Sequence, residues 1–261
     1  MSLEEIEVAL PRNAFGPRDR ARPGDLWRLF QDAAIVGSAR RGWPPERYRA
    51  NHSGFVVRSM VARHFRPAHF GDPLIARTWV SSFRRGLVSD RQVRLVTRGE
   101  VVSAATQRWV HVSLPDLRPT RASPELEASF EIRREPDGDV TLPPVTETVT
   151  DAAEHRFSFP CWYTWMDPLA HANHPAYVDW ADESMSRMLA ESGRDPHAWI
   201  AVAEEISWTA GVVAPEEATI WTRAVGTTEE GAVAYRHRVL GEDGRVCAEA
   251  TTVRRWEDRA P

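Results

Sequence analysis

Two stretches of this sequence occur twice, in the same order and at the same spacing. GDPLIARTWV from Gly71 is echoed by PEEATIWTRAV from Pro215, and GEVVSAATQRW from Gly99 by GRVCAEATTVRRW from Gly244, both about 145 positions further on. Chance similarity would not keep its register across two separate segments. At 261 residues the chain is long enough for two units of about 130 residues, each able to bury a core of its own.

Each half presents the same elements: a strand, a long helix, then a run of strands broken by polar turns. In the first half Leu26, Leu29, Phe30, Ala33, Ala34 and Gly37 recur at helical spacing, in a stretch that opens after Pro23 and closes near Gly42. In the second, Tyr177, Trp180, Ala181, Ser184, Met188 and Leu189 form the matching stripe, with Pro175 suited to the first turn and Gly193 to the stop. The strands alternate. Val110, Val112 and Leu114 take one face against Trp109, His111 and Ser113, and Val233, Tyr235, His237 and Val239 oppose Ala234, Arg236 and Arg238. The stretch 123–153, with a Pro-Asp-Gly turn and Pro143-Pro144, reads as the connection. The expected division is a unit over 1–130, a connecting segment over 131–150 and a second unit over 151–261. A helix followed by four or more antiparallel strands implies an α+β unit whose sheet wraps its apolar face around the helix, since neither can bury its stripe alone.

Charge narrows the function. The formal net charge is -4, which gives no support to nucleic-acid binding through phosphate neutralisation. Arginines are locally dense at Arg40, Arg41, Arg47 and Arg49 and at Arg84 and Arg85, where solvated faces and an anionic substrate are both available readings. The first ten residues, MSLEEIEVAL, lack the basic and apolar segments of a signal peptide, and no window is apolar enough to span a membrane, so a cytoplasmic address and no membrane partner are expected. Cys161 and Cys247 are isolated from each other and read as packed thiols; no metal or redox cofactor is expected.

The chemistry concentrates in WMDPLAHANHP, from Trp165 to Pro175, read as a loop between a strand ending near Trp165 and the second long helix. Taken singly, Asp167 and Asn173 are also turn formers and caps, and His171 and His174 ordinary polar residues. Together a carboxylate, an imidazole and an amide supply what acyl transfer to water needs, and the backbone N–H groups of the following helix could hold an oxyanion. The corresponding loop of the first half, RNAFGPRDRARPG, has Gly16 near where Asp167 would lie and Asp19 out of register, so one active site per chain is expected.

The spacing Asp167, His171, Asn173, Tyr177, Trp180 resembles the catalytic loop of the 4-hydroxybenzoyl-CoA thioesterase-like superfamily, and the whole chain resembles a tandem, or double, hotdog. Among those proteins it is most similar to acyl-acyl-carrier-protein thioesterases of plants and bacteria. The resemblance implies hydrolysis of an acyl thioester carried by coenzyme A or acyl-carrier protein, catalysis by Asp167, His171 and Asn173, and substrate contacts from Tyr177 and Thr209. A monomer and a homodimer are both open, since fusion of two units satisfies their pairing while a sheet face could still pair two chains. Two positions depart from the pattern: Leu169 stands where an Asn is expected, and Thr209 where a catalytic Glu is expected. Glu204 and Glu205 lie just upstream, and on a strand only one of them can face a given side. Two rival readings remain, a hotdog enoyl hydratase or dehydratase on the same carriers, and an acyl-thioester-binding protein whose catalytic set has decayed. No Gly-x-Ser-x-Gly elbow supports a serine hydrolase.

Overall fold

The computed structural model describes residues 3–134 and 138–257. The expected Pro-Asp-Gly turn therefore lies outside the described residues at Pro136 and Asp137. The chain divides into two compact units, Met1–Ala21 with Asp25–Thr141, and Arg22–Gly24 with Leu142–Pro261.

Unit 1 runs β1 (Glu4–Val8), a 3-10 turn (Arg12–Ala14), α1 (Pro23–Arg40), α2 (Pro45–Ala50), β2 (Ser53–His64), β3 (Leu74–Arg84), β4 (Val88–Thr97), β5 (Glu100–Ser113) and α3 (Pro124–Ser129). Its strands lie in the order β1-β3-β4-β5-β2, each antiparallel to its neighbour. α1 buries the predicted stripe and Trp27 beside it, which is wholly inaccessible. Near its end Ser38 accepts a hydrogen bond at 3.3 Å from the buried guanidinium of Arg91 on β4.

Unit 2 repeats the plan. After β6 (Val145–Thr148) come β7 (His155–Pro160), a 3-10 turn (Tyr163–Trp165), α4 (Ala176–Glu191), β8 (Trp199–Trp208), β9 (Glu217–Thr228), β10 (Val233–Leu240) and β11 (Val246–Trp256). The order β7-β9-β10-β11-β8 matches that of unit 1 strand for strand. β6 adds to the far end of β9, where Gly226 is required: a Cβ there would lie 2.1 Å from the carbonyl oxygen of Glu147. α4 packs on β9 and β7 and buries eight side chains, among them Tyr177, Val178, Trp180, Met185 and Leu189. Among the described residues, no helix is long and apolar enough to cross a membrane.

Three local expectations change. The strand expected to end near Trp165 stops at Pro160; the chain then turns through a 3-10 segment in which Trp162 and Trp165 stack at 5.1 Å, leaving Tyr163 exposed. Met188 is only half-buried, and Met185 takes the core position. His111, on the face opposite Val112 of a strand expected to be half-buried, is buried as Val112 is, because residues 118–130 fold over that end of the sheet: its Nδ1 lies 2.8 Å from the carbonyl of Thr120, and Leu126 of α3 closes the cluster above Phe55 and Phe130. The connecting segment is likewise structured. Ile132 bridges Val80, Asp139 accepts from Gln92 at 2.7 Å, and Leu142 packs on Ala203, Ala234 and Val253 of unit 2.

The helix-facing side of the unit 2 sheet is partly polar, and its buried hydroxyls and imidazole bond one another. Ser184 on α4, Thr222 on β9, His237 on β10 and Thr252 on β11 form one hydrogen-bonded line, with links of 2.8, 2.8 and 2.9 Å. Burial first, and the charge of Arg254 second, push the His237 imidazole down to about 3, so it is neutral and can donate at one nitrogen while accepting at the other. Nearby Arg254 joins Glu204 on β8 to Asp182 on α4, the latter at 2.7 Å. Two carboxylates share one buried guanidinium, and burial, aided by Glu204 and Asp179, pushes Asp182 up to about 6 against the pull of Arg254.

The unfolded chain releases the Asp182 proton near 3.8 and the folded one near 6. Native protein thus holds more protons in that window, and its stability falls as pH rises from about pH 4 to about pH 6, by on the order of 3 kcal/mol from this group. Denaturant titrations at both pH values should show wild type losing more stability over the interval than Asp182→Asn. Equal pH dependence in the two proteins would overturn the assignment.

Candidate active site

The loop from Cys161 to Pro175 is drawn into shape by backbone bonds. The N–H of Asp167 donates to the carbonyl of His171 at 2.9 Å, and that of Ala170 to the carbonyl of Asp167 at 3.0 Å. Ala170 closes the turn with a positive φ of 62°, and Met166 bridges Ala172 across its base. This turn brings the two predicted groups together: Nδ1 of His171 lies 3.3 Å from Oδ1 of Asp167. The contact is an ion-pair distance without hydrogen-bond alignment, and the Asp167 carboxylate meanwhile accepts the N–H of Leu169 at 2.8 Å. Burial raises the Asp167 carboxyl above its ordinary value, opposed by the nearby imidazole and by the N–H groups of Leu169 and His171. Both side chains keep an opening to solvent, 12% for Asp167 and 26% for His171, as a group that must meet a substrate requires.

The connection between β8 and β9, residues 209–216, forms the other side. The N–H of Ala172 donates to the carbonyl of Val212 at 2.8 Å, and the N–H of Val212 donates to the hydroxyl of Tyr177 at 3.0 Å. Tyr177 thereby bolts the first turn of α4 to this loop, and burial raises its hydroxyl above the ordinary tyrosine range. Gly211 presses on the imidazole: a Cβ there would lie 2.7 Å from Cβ of His171. The loop is pinned from behind by Arg245, which donates to the carbonyl of Gly211 at 3.0 Å and to Glu216 at 2.7 Å.

The remaining predicted residues fall as follows. Asn173 is half-buried; its N–H donates to the carbonyl of Trp165 at 2.8 Å and its carbonyl accepts from Ala176 at 2.9 Å. Thr209 is exposed just past the end of β8, with its N–H on the carbonyl of Cys247, and no hydrogen bond joins its side chain to Asp167 or His171. His174 lies edge-on to Trp208 at 5.5 Å. The helix N-terminus differs from expectation as an oxyanion site. The N–H groups of Ala176, Tyr177 and Val178 are taken by the carbonyls of Asn173, His174 and Pro175, because the loop enters α4 through a tight turn. Sequence reasoning missed Gly211 and Arg245; a glycine with no turn signal beside it and a lone arginine at a hairpin leave no mark in a pattern.

The equivalent turn in unit 1 has the same backbone and none of the chemistry. Gly16 bonds Arg20 as Asp167 bonds His171, Phe15 bridges Ala21 as Met166 bridges Ala172, and Asp19, with φ of 54°, stands where Ala170 does. Asp19 is thus the turn closer, and it pairs with Arg12.

The fold is that of hotdog-type thioesterases, a large antiparallel sheet with few helices. An oleoyl thioesterase (putative) from Lactobacillus plantarum superposes with a TM-score of 0.82 at 18% identity, over 98% of this chain and 97% of that one. A 12:0-ACP thioesterase from Umbellularia californica matches with a TM-score of 0.79 at 15% identity, over 98% and 95% of the two chains. An acyl-ACP thioesterase from Bacteroides thetaiotaomicron matches with a TM-score of 0.76 at 14% identity, over 97% and 98%. No protein-family model and no curated protein matches the sequence.

Tyr177→Phe keeps the ring but removes the only acceptor found among the described residues for the buried N–H of Val212. Leaving such a group unsatisfied costs about 1–3 kcal/mol. Chemical denaturation should show that loss, and a variant as stable as wild type would mean that the clasp contributes nothing.

Proposed function

We propose that this chain is a tandem hotdog hydrolase of acyl thioesters, with units over 1–130 and 151–261, a connecting segment over 131–150, and one active site on the loop of the second unit. The observation that carries the reading is the pairing of Asp167 with His171 on a rigid, solvent-open turn at the entrance to α4, in a chain whose whole length superposes on solved thioesterases. Substrates are acyl groups on phosphopantetheine, as coenzyme A or carrier-protein thioesters; two of the structural neighbours, both ACP thioesterases, support the carrier-protein form.

In this mechanism a water molecule loses a proton to the imidazole of His171 as its oxygen bonds to the thioester carbon. The π electrons of the carbonyl move onto its oxygen. Asp167, beside Nδ1, stabilises the imidazolium that forms. When the carbonyl reforms, the C–S bond breaks, and the departing thiolate takes the proton from the imidazolium. The products are the free acid and the thiol. Asn173 is the third group proposed for catalysis, and Tyr177 and Thr209 are the proposed substrate contacts; Tyr177 also clasps the β8–β9 loop, and Thr209 is exposed at the rim.

Thiol release from a panel of acyl-CoA and acyl-carrier-protein thioesters tests this. Asp167→Asn and His171→Ala should each lower kcat by about 10²-fold or more. Because burial already disfavours the charged Asp167, Asp167→Asn should leave the thermal midpoint unchanged or higher at neutral pH. No turnover by folded wild-type protein, together with saturable acyl-CoA binding, would favour the decayed binding protein instead.

A further inference from the structure

The first turn of α4 offers no oxyanion donor from Ala176, Tyr177 or Val178, so an active hydrolase must take one from elsewhere. The β8–β9 loop supplies a candidate by elimination. The N–H groups of Thr209 and Ala210 both donate to the carbonyl of Cys247, at 2.8 and 3.2 Å. That of Val212 goes to Tyr177, that of Val213 to Glu216 at 2.6 Å, that of Ala214 to the sulfur of Met166 at 3.3 Å, and that of Glu216 back to Val213. Pro215 has none. Only the N–H of Gly211 finds no acceptor among the described residues, and Gly211 is half-buried, not sealed.

Gly211 is also the residue that touches His171. The position its Cβ would take lies 2.7, 3.2 and 3.3 Å from Cβ, Cγ and Cδ2 of the imidazole. Contact is therefore along the Cδ2 edge, which leads to Nε2, while Nδ1 on the other edge faces Asp167. Gly211 thus borders the edge of the ring that carries the travelling proton. The following peptide is held at both ends, its oxygen by Arg245 and its N–H by Tyr177, so little reorganisation is needed when charge develops. Gly211 has no positive φ, so backbone conformation does not demand glycine there; the close approach to His171 does.

We propose that the backbone N–H of Gly211 is a catalytic group of this site and binds the thioester carbonyl oxygen, most strongly once that oxygen carries the negative charge of the tetrahedral intermediate. This role rests on the hydrolase reading. It adds no atom to the balance already given: the oxygen gains the π electrons, the N–H shares but does not transfer its proton, and the electrons return as the C–S bond breaks.

The sequence makes a direct test practicable, because Ala-Gly occurs once in it, at Ala210-Gly211. Protein labelled with carbonyl-¹³C alanine and ¹⁵N glycine gives one amide signal in a carbonyl-filtered NMR spectrum. The probes are an acyl-CoA trifluoromethyl ketone, whose hydrate or alkoxide carries an oxyanion-like oxygen, and the inert acyl-CoA thioether of equal length. The Gly211 amide proton should move downfield with the ketone and much less with the thioether. A ketone that binds, seen by its fluorine signal, while this amide stays in place would overturn the role. Failure of the ketone to bind would overturn it too, and thiol release by the same sample would then say whether the hydrolase reading falls with it.

Discussion

The site depends on the burial of α4. Eight of its sixteen residues are packed away, and a helix with that much apolar surface has no stable place except against β9 and β7. Full burial of an aliphatic or aromatic side chain is worth about 1.5–3 kcal/mol, so the helix axis is held far more firmly than any single polar contact could hold it. Its N-terminus is thereby placed, and with it the loop that enters it. Tyr177 then transmits this placement sideways to Val212, and the β8–β9 loop closes on His171. The chemistry sits on loops, yet those loops inherit rigidity from the core.

The two units show one turn backbone with and without a carboxylate–imidazole pair. The turn at 166–172 is closed by main-chain hydrogen bonds, as is its counterpart at 15–21. Those bonds do not depend on which side chains stand at Asp167 or Gly16, at His171 or Arg20. At position 167 the side chain adds a bond of its own, accepting the N–H of Leu169, whereas Trp27, Phe30, Tyr177 and Trp180 are held by burial in the cores.

Much of this was legible in the linear pattern. The doubled segments, the two helical stripes and the alternation of Tyr235, His237 and Val239 against Arg236 and Arg238 reappear in the structure, since period and burial are linked by geometry alone. The pairing of Asp167 with His171 was also anticipated. The elements that misled share one feature, coverage by something distant in sequence. His111, on the face opposite Val112, is covered by residues 118–130, and the strand expected to reach Trp165 ends at Pro160 before a turn in which two indoles stack, which alternation does not encode.

The sequence by itself determined the α+β plan, the duplication, and the acid and imidazole of one loop, because these follow from spacings within short stretches of chain. Only the tertiary structure decided which amides are spent and which remain. The helix N-terminus, inviting in sequence, is used up by its own entry turn, while Gly211, which carries no side chain for a pattern to notice, comes from across the unit to lie against His171, its N–H without an acceptor among the described residues. Hydrogen-bond satisfaction is a property of groups that meet in space, and about forty residues separate these two in the chain.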